Sequence, residues 1–500
     1  MLSAEKKDAR SVFSFWLMKN NIIHFETLGC RLNQDETEGA ARSFSDAGFI
    51  CEFNSISSAK NPSQDVILSV INTCTVTGKA EQKARRIIRL LLEKFFNAPL
   101  IVTGCYAELA DSEITSISKN RIVIVPGTKK FVLKEIAVAM NGGDLDFKSG
   151  KFNFENLKSF VSKRIFSFER IDSAKKIPMA INPFALYTPV FEKHSRATLK
   201  IQDGCNNSCS FCRIHFARGT SVSLEPEKIL ERAKEIENLG SSEIVLTGVN
   251  LSQYAGMSKD GAIFDFKDLL SFLLSNTKKV KFRISSFYPQ HITKELCAVL
   301  SDKRVQPFFH LSIQSGSDSI LSSMRRPYKR EQVENAVQLL RECKMNPFIS
   351  CDIIAGFPGE TEDDFEQTKS LCKKMNFAWI HAFPFSARPG TLAFSMTPKI
   401  PERTKNERVK WLAEIAVSGK ISYINSFKEK TVEATVEKKV LQKSNGKNIF
   451  HAVTENFLHA EFESEKKLKA GSVAMLKIIS ALEDSIKCGR EEECSAELLK

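Results

Sequence analysis

The sequence has no run of about 18 or more apolar residues, which is the length that a membrane-spanning helix requires. It also shows no export signal, because the apolar stretch at 11–18 is too short and no small-residue cleavage site follows it. We therefore expect a cytoplasmic protein without a membrane-spanning segment. The first predicted strand starts near Ile22, and we expect translation to begin at Met18 rather than at Met1.

A disulfide framework is not expected either. The chain carries 13 cysteines, an odd number, and lacks the export signal that would bring it to an oxidising compartment. Reduced thiols are expected instead, and thiols that cluster are predicted to be metal ligands or nucleophiles. The sequence has no internal repeats.

The composition is typical of a globular protein with several domains. The 500 residues are 42% apolar and 26% charged, and this length suits two to four domains. Lysine and arginine give a formal net charge of +13 and a pI near 9.0. Because such a surplus raises the local concentration of polyanions, nucleic acid is the expected partner, with a membrane surface as the alternative.

Residues 18–140 alternate short apolar runs with longer amphipathic ones. The apolar runs are predicted to be buried strands, and they read IIHFETLG, DVILSVINT, PLIVTG and RIVIVPG. Helical stretches such as KAEQKARRIIRLLLEKFF lie between them. This alternation predicts an α/β fold with a parallel sheet for the N-terminal domain. The next segment, 141–193, lacks clear periodicity and is predicted to be a linker with some local structure.

Residues 194–424 return to strand–helix alternation, with six predicted strands and a connecting helix over 401–424. Six successive βα units predict a partial (β/α)6 barrel whose chemistry gathers at the carboxyl ends of the strands. Residues 425–486 contain alternating and β-branched runs split by SNGKN and KKLKAGS, which predicts a small antiparallel β-barrel rich in lysine. The charged segment 487–500 is predicted to be a frayed tail.

The most specific local pattern is GCNNSCSFC, which follows the first strand of the predicted barrel. It places Cys205, Cys209 and Cys212 at C-x3-C-x2-C spacing, so one short loop can wrap three thiolates around one face of an iron–sulfur cluster. Since a cubane has four irons, three thiolates leave one iron open for a substrate or cofactor. His215 follows at C-x2-H spacing, which leaves a Cys3His zinc site as the alternative.

Three further cysteines each follow a predicted strand of the N-terminal domain. They are Cys30 in TLGCRLNQ, Cys74 in INTCTVT and Cys105 in VTGCYAE. The carboxyl ends of parallel strands lie at one edge of a sheet, so these residues can converge although they are far apart in sequence. They are predicted to hold a second cluster, and three separate buried structural cysteines are the alternative.

At this point the sequence resembles the tRNA methylthiotransferase family of the radical S-adenosylmethionine (radical SAM) superfamily over about residues 20–485. The strings that carry the resemblance are TLGCRLNQDETE, INTCTVTGKAEQKARR, VTGCYAE, KIQDGCNNSCSFC, ARGTSVS, VLTGVNLSQY, RISSFYP, HLSIQSGSD, MRRPYKRE, DIIAGFPGETEDDF and FPFSARPGT. One departure is IHFARG, where family members often read IPYARG. The resemblance implies that the C-terminal barrel is a TRAM-like domain that binds tRNA.

The resemblance also implies two 4Fe–4S clusters and S-adenosylmethionine as cofactors. The catalytic residues Cys205, Cys209 and Cys212 would hold the cluster that makes a 5′-deoxyadenosyl radical, and the second set would hold a cluster that carries or supplies sulfur. One S-adenosylmethionine donates a methyl group and a second yields the radical, which removes hydrogen from C2 of a hypermodified adenosine beside the tRNA anticodon. An electron donor such as a flavodoxin or ferredoxin is a further expected partner.

Within the family, TLGCRLNQ, IQDGC and SSFYP resemble the branch that modifies N6-threonylcarbamoyladenosine. The isopentenyladenosine branch usually carries a TYGCQMN-like string, and MRRPY slightly resembles a third branch that acts on a ribosomal protein. These two branches are the alternatives within the family. A non-catalytic, zinc-containing RNA-binding protein is the alternative of another class.

Four residues are predicted to contact S-adenosylmethionine at the mouth of the barrel, and the first of them is Asn250 or Gln253. The acidic pair that many radical SAM enzymes carry after strand two is missing from TGVNLSQY, so Asn250 or Gln253 is expected to hold the amino group of the cofactor. Gln314 and Ser315 follow strand four, with a helix-capping turn as the alternative. Gly356 in AGFPGE allows close backbone approach, with an ordinary Pro-Gly turn as the alternative.

Overall fold

The computed structural model describes residues 22–53, 56, 65–145, 154–172, 182–192, 195–442 and 448–499, so Met18 lies outside the described residues. The chain forms two compact units. The first comprises Met1–Thr188 with Arg213–Gly219, and the second comprises Pro189–Cys212 with Thr220–Lys500. In the ranges that are described, no helix is both long and apolar enough to cross a membrane.

The first unit is built on a parallel sheet. Its strands are β1 (Ile22–Thr27), β2 (Ile50–Glu52), β3 (Val66–Thr73), β4 (Leu100–Gly104) and β5 (Ile122–Ile124). Its helices are α1 (Arg31–Asp46), α2 (Gly78–Lys94), α3 (Cys105–Leu109), α4 (Asp111–Thr115), α5 (Val132–Gly142), α6 (Phe154–Asp172) and α7 (Ile214–Arg218).

The strands of this sheet run in the order β2-β1-β3-β4-β5, and all of them are parallel. The four strands predicted from apolar runs are present as β1, β3, β4 and β5, which confirms the parallel βα fold. The short β2 was not foreseen, because three residues carry too little periodicity to be recognised. Apolar side chains pack on both sides of the sheet, with Phe25 and Phe44 in one cluster and Ile71 and Ile88 in the other.

Part of the predicted linker belongs to the core of the first unit. Helix α6 lies within 141–193, and its Leu157 and Val161 are buried in the same apolar cluster as Phe25. The spacing of these two residues matches one face of a helix. The surrounding lysines, asparagines and glycines hide this period in the sequence, so the segment is predicted as irregular.

The second unit contains an α/β part, which carries two parallel sheets, and a C-terminal β-barrel. Its strands are β6 (Ala197–Lys200), β7 (Gln202–Asp203), β8 (Val222–Ser223), β9 (Glu243–Thr247), β10 (Gly256–Met257), β11 (Ile263–Phe264), β12 (Lys281–Ile284), β13 (Phe308–Gln314), β14 (Phe348–Ala355), β15 (Trp379–Pro384), β16 (Thr431–Gln442), β17 (Asn448–Thr454), β18 (His459–Ser464), β19 (Val473–Ala481) and β20 (Cys494–Leu498). Its helices are α8 (Pro226–Asn238), α9 (Phe266–Asn276), α10 (Lys294–Leu300), α11 (Asp318–Ser323), α12 (Arg330–Cys343), α13 (Glu362–Met375), α14 (Leu392–Ser395), α15 (Glu402–Asn425) and α16 (Glu483–Lys487).

The six predicted barrel strands are β6, β9, β12, β13, β14 and β15. They form two parallel three-stranded sheets, in the orders β12-β9-β6 and β13-β14-β15. Parallel bridges from Phe282 to Val305 and from Phe287 to Leu311 continue the pairing between the two sheets. This is the partial (β/α)6 barrel that the sequence predicts, and the carboxyl ends of its strands share one edge.

The C-terminal strands form a closed barrel in the order β16-β17-β18-β20-β19, consistent with a TRAM-like domain. One strand comes from an unexpected place. The segment 487–500 is predicted as a frayed tail, yet it supplies β20, which pairs with β18 and β19. Cys494 is fully buried there. Pairing within the barrel therefore orders this short strand, although its charged flanks suggest a solvated end.

Candidate active site

Three cysteines of the first unit follow neighbouring strands of the parallel sheet. Cys30 caps α1 after β1, Cys74 directly follows β3, and Cys105 begins α3 after β4. Because β1, β3 and β4 are adjacent, their carboxyl ends lie side by side at one edge. Thr73 pairs in register with Gly104, so Cys74 and Cys105 follow directly paired residues. The fold therefore gathers three thiols that are far apart in the sequence.

Two glycines make this convergence possible. A Cβ on Gly29 would lie 2.8 Å from the Cβ and 3.1 Å from the Sγ of Cys74. A Cβ on Gly104 would lie 2.3 Å from the carbonyl oxygen of Thr73. Both glycines have positive φ angles, of 110° and 100°, which favour glycine on conformational grounds as well. The turns of Cys30 and Cys105 can approach Cys74 only because these side chains are missing.

Gly29→Ala should therefore displace Cys74 and empty the site of these three thiols. We expect anaerobically reconstituted protein to lose about four irons per chain, the content of one cubane. Gly48→Ala is the matched control, because Gly48 also has a positive φ of 90° but a Cβ there meets nothing within 4 Å. It shares the backbone strain, about 1 kcal/mol, without the steric clash. Equal iron contents in the two variants would contradict the role of Gly29.

Asn33 of helix α1 ties the turns of this site together. Its Nδ2 donates to the carbonyl oxygen of Leu28, at 2.9 Å, and to that of Thr73, at 3.1 Å. Its own carbonyl oxygen accepts from Nδ2 of Asn72 at 3.0 Å. The turn after β1 and the end of β3 are thus fixed relative to each other by one fully buried amide side chain.

The thiols of the site interact electrostatically. Burial, with smaller contributions from the nearby Cys30 and Cys105, raises the pKa of Cys74 to about 11. Three thiolates at this spacing would repel one another unless a positive group lay between them. Three converging thiols and the side-chain-free turn at Gly29 fit an iron–sulfur cubane bound by three cysteines.

The second unit holds the C-x3-C-x2-C loop, which follows β7. Gln202 orders the start of this loop, because its Nε2 donates to the carbonyl oxygens of Asp203 and Gly204 at 2.9 and 2.7 Å. Further along, the backbone N–H of Cys212 donates to the carbonyl oxygen of Cys209 at 3.1 Å. The three thiols of the loop therefore come from a turn held by backbone and buried amide contacts. This short loop with three thiols fits a cubane with one open iron, separate from the one at Cys30, Cys74 and Cys105.

Arg326 supports this loop from the strand-four side of the barrel. Its Nη1 lies 3.4 Å from the Sγ of Cys209, and its Nη2 donates to the carbonyl oxygen of Ser312 at 2.7 Å. The guanidinium stacks 4.1 Å from the ring centre of Tyr288 and 5.0 Å from that of Tyr328. A buried cation is thus held beside one thiol of the loop by aromatic faces.

Asn250 or Gln253 is predicted to hold the amino group of S-adenosylmethionine, and the two side chains have different surroundings. Gln253 accepts from the backbone N–H of Asn206 and donates to Oδ1 of Asn207, both at 2.9 Å, so it orders the cysteine loop. Asn250 is buried with its Nδ2 3.8 Å from the Sγ of Cys205, and its Oδ1 has no hydrogen-bond partner. A buried acceptor without a partner beside the loop suits an ammonium donor.

The other three residues that are predicted to contact S-adenosylmethionine, Gln314, Ser315 and Gly356, differ from one another in their surroundings. Gln314 ends β13 with a positive φ of 72°, a strained conformation at the carboxyl edge of the barrel. The Oγ of Ser315 lies 3.3 Å from Oγ1 of Thr368 on α13 and accepts from the N–H of Ser317, so it is engaged in packing the helix. The close approach at Gly356 is to the side chain of Lys405, whose Cγ would lie 2.3 Å from a Cβ there.

No group of three His, Cys, Asp or Glu side chains among the described residues is arranged to hold a single metal ion. Ligands of one zinc ion lie about 2.3 Å from the same centre. In a cubane each thiolate binds its own iron, and the thiolates are therefore more widely spaced. The absence of a single-ion site among the described residues is therefore compatible with a cubane at either set of three cysteines.

Two arginines beside the thiols were not singled out in the sequence. Arg326 lies in the string MRRPY, and Arg218 in ARGTSVS approaches Cys105 within the first unit. Each is more than a hundred positions from the cysteine it contacts, with separations of 117 and 113. The sequence offers one signal for these arginines, which is their position inside MRRPY and ARGTSVS, two of the strings that carry the family resemblance.

Comparison with known proteins agrees with this architecture. Residues 199–372 match the radical SAM superfamily, and residues 22–125 match the uncharacterized protein family UPF0004. The chain is 41% identical to the threonylcarbamoyladenosine tRNA methylthiotransferase MtaB of Treponema pallidum, covering 87% of this chain and 93% of the relative. It is 33% identical to the Bacillus subtilis protein of the same name, covering 92% and 94%.

A more distant relative carries another substrate in its name. The tRNA-2-methylthio-N(6)-dimethylallyladenosine synthase of Neorickettsia sennetsu is 28% identical, covering 95% of this chain and 94% of the relative. The alignments to these relatives thus cover 87%, 92% and 95% of this chain. This chain belongs to the radical SAM tRNA methylthiotransferase family.

Proposed function

We propose that this enzyme inserts a methylthio group at C2 of N6-threonylcarbamoyladenosine next to the anticodon of tRNA. Membership of the family implies a 4Fe–4S cluster, S-adenosylmethionine and a tRNA substrate. The finer parts of the proposal are the second cluster, the use of two S-adenosylmethionine molecules and the modified base. The choice of base is supported by the names of the relatives that are 41% and 33% identical.

The residues of the second unit would prepare the cofactor. Cys205, Cys209 and Cys212 would hold a cluster whose open iron binds S-adenosylmethionine and supplies the electron that cleaves it. Asn250 would accept a hydrogen bond from the ammonium of the cofactor through its unpartnered Oδ1. Arg326 keeps Cys209 in place through its contact with Sγ. Gln314 lies at the carboxyl edge of the same barrel, where it can contact the cofactor.

The observation that carries the proposal is the convergence of Cys30, Cys74 and Cys105 at the carboxyl edge of the first sheet. A radical enzyme needs only the loop of the second unit to make a radical. Sulfur insertion needs a separate place where sulfur is held, and three further thiols at one sheet edge supply such a place. The C-terminal five-stranded barrel would contribute the tRNA surface.

Nucleoside analysis of tRNA tests this proposal. Deleting the gene should abolish 2-methylthio-N6-threonylcarbamoyladenosine completely, and the unmethylthiolated nucleoside should accumulate in its place. The wild-type gene and Cys51→Ala should both restore the modification, because Cys51 is a half-buried thiol of the same unit outside the site. Cys74→Ala should not restore it.

Each other outcome of that analysis points to a different substrate. Loss of the methylthio group from isopentenyladenosine alone would replace the proposed base by the one named for the Neorickettsia relative. Unchanged methylthio nucleosides together with an unmodified ribosomal protein would move the target off tRNA. Iron content separates the zinc-containing alternative, since two cubanes bring about eight irons per chain.

A further inference from the structure

Arg218 is the last residue of helix α7, and its guanidinium is buried in the first unit with 6% of the side chain exposed. The helix begins two positions after Cys212, so the segment that follows the radical loop along the chain supplies a side chain to the first unit. A buried arginine requires partners for its donors. Those partners show what the residue does.

Helix α1 provides most of the partners. Nη1 of Arg218 donates to Oε1 of Glu36 at 2.9 Å, and Nη2 donates to Oε2 at 3.2 Å. Nη2 also donates to Oδ1 of Asn33 at 2.7 Å. This two-pronged pairing fixes the plane and the direction of the guanidinium, which a single charge contact would not do.

With its plane fixed, Arg218 directs its Nε–H at a sulfur. The Nε lies 3.3 Å from the Sγ of Cys105, within the range of a hydrogen bond to sulfur. Cys105 is one of the three thiols that converge at the sheet edge, and it is itself buried. The contact therefore joins a permanent cation to an atom that would bind iron.

The carboxylate that pairs with Arg218 is shared with a second cation. Glu36 also pairs with Lys130, so two cations share a single carboxylate. All three side chains are at most 6% exposed, and water therefore screens their charges weakly. The guanidinium of Arg218 is therefore a weakly screened positive group in direct contact with Cys105.

We propose that Arg218 is a positioning residue that orients Cys105 and raises the reduction potential of the cluster bound by the first unit. The inference rests on the second cluster of the proposed function. A cluster gains negative charge when it is reduced, and both a hydrogen bond to a ligand sulfur and a nearby cation stabilise that extra charge. Arg218 supplies both from one group.

A redox titration tests this inference in the full-length chain. Cys205, Cys209 and Cys212 are replaced by alanine in every sample, so that only the cluster of the first unit remains. The titration is followed by electron paramagnetic resonance and visible absorption. Arg218→Gln should make reduction about tenfold less favourable, a shift of the midpoint by about 59 mV to more negative potential for one electron. Arg218→Lys retains the charge and should shift the midpoint less.

Arg213→Gln is the matched control. Arg213 lies in the same chain segment, and its guanidinium pairs with Glu81 of the first unit at 3.2 Å. The midpoint potential of this variant should equal that of the protein in which only Cys205, Cys209 and Cys212 are replaced. An unchanged midpoint in Arg218→Gln, or equal shifts in both variants, would overturn the inference. If Arg218→Gln loses its iron, Arg218→Lys becomes the test, and an unchanged midpoint potential in that variant would overturn the inference. If the protein with only Cys205, Cys209 and Cys212 replaced by alanine holds no iron, the second cluster of the proposed function is overturned instead.

Discussion

Replacing Cys205, Cys209 and Cys212 together by alanine should abolish the cleavage of S-adenosylmethionine to 5′-deoxyadenosine while leaving about half of the iron in the protein. The physical reason is that three thiolates hold one cubane and that alanine has no atom that can bind iron. Iron should fall from about eight to about four atoms per chain, with sulfide in proportion. The remaining absorption then belongs to the cluster of the first unit.

The reciprocal variant should lose sulfur insertion but keep radical formation. Alanine at Cys30, Cys74 and Cys105 should also remove about four irons, yet it should leave 5′-deoxyadenosine formation intact and abolish methylthio insertion. Chromatography of the nucleoside products measures both activities in one reaction. This pairing separates radical formation from sulfur insertion, which a single variant cannot do.

Two other cysteines provide controls for these variants. Cys343 is half-buried and Cys488 is exposed, and neither lies at the carboxyl edge of a sheet. Their alanine variants should keep all of the iron and both activities. Cleavage of S-adenosylmethionine by the Cys205, Cys209 and Cys212 variant would contradict the assignment of the radical cluster. A full complement of iron in either triple variant would contradict the assignment of that site.

Much of this arrangement could be predicted from local sequence patterns. Most strands of the three parallel sheets are short apolar runs between amphipathic helices, and this period is visible without any tertiary information. The positions of Cys30, Cys74 and Cys105 after three such runs then suffice to place them at one sheet edge. The same holds for the loop of Cys205, Cys209 and Cys212, whose spacing is entirely local.

The residues that were missed depend on contacts between distant parts of the chain. Arg218 and Arg326 contact sulfur across 113 and 117 positions, and no local period encodes such a contact. The hydroxyl of Ser315, which is predicted to contact the cofactor, also lies 3.3 Å from Oγ1 of Thr368, a residue 53 positions away. Strand β20 forms because the barrel needs a fifth strand, which its own charged sequence does not indicate. In each case packing decides what the local pattern leaves open.

Contacts between distant residues also fix the C-terminal barrel within the second unit. Glu243 of β9 accepts from Nε and Nη2 of Arg283 at 2.7 and 2.8 Å, and from Nε2 of Gln306 at 2.8 Å. Arg283 also donates to the carbonyl oxygen of Thr454 at 3.2 Å and lies 5.3 Å from the ring centre of Phe457. Glu243 and Arg283 are each at most 3% exposed, so this pair stands at the junction of the two barrels as a buried charge network.

Glu243→Gln should therefore lower the stability of the second unit by about 3–5 kcal/mol, because Arg283 is left as a buried cation without its carboxylate. For a unit of this size we expect the melting temperature to fall by roughly 5–10 °C. Glu231→Gln is the matched control, since Glu231 pairs with Lys228 on the exposed face of α8 at 2.8 Å. Such exposed pairs contribute about 0–1 kcal/mol. Replacing Glu243 by Leu together with Arg283 by Met should cost less than Glu243→Gln alone, because no unpaired charge remains.

The pH dependence of stability provides an independent measure of the same pair. Burial raises the pKa of Glu243, but the guanidiniums of Arg283 and Arg196 outweigh it and hold the pKa at about 2. A carboxyl whose folded pKa lies below its unfolded value, about 4.3, stabilises the protein fully above that unfolded value. The stabilisation is then lost as the pH falls through the folded pKa of about 2. Melting curves between pH 7 and pH 3 should accordingly bring wild type and Glu243→Gln closer together as the pH falls. A constant difference between them at every pH would show that Glu243 acts through packing and not through its charge.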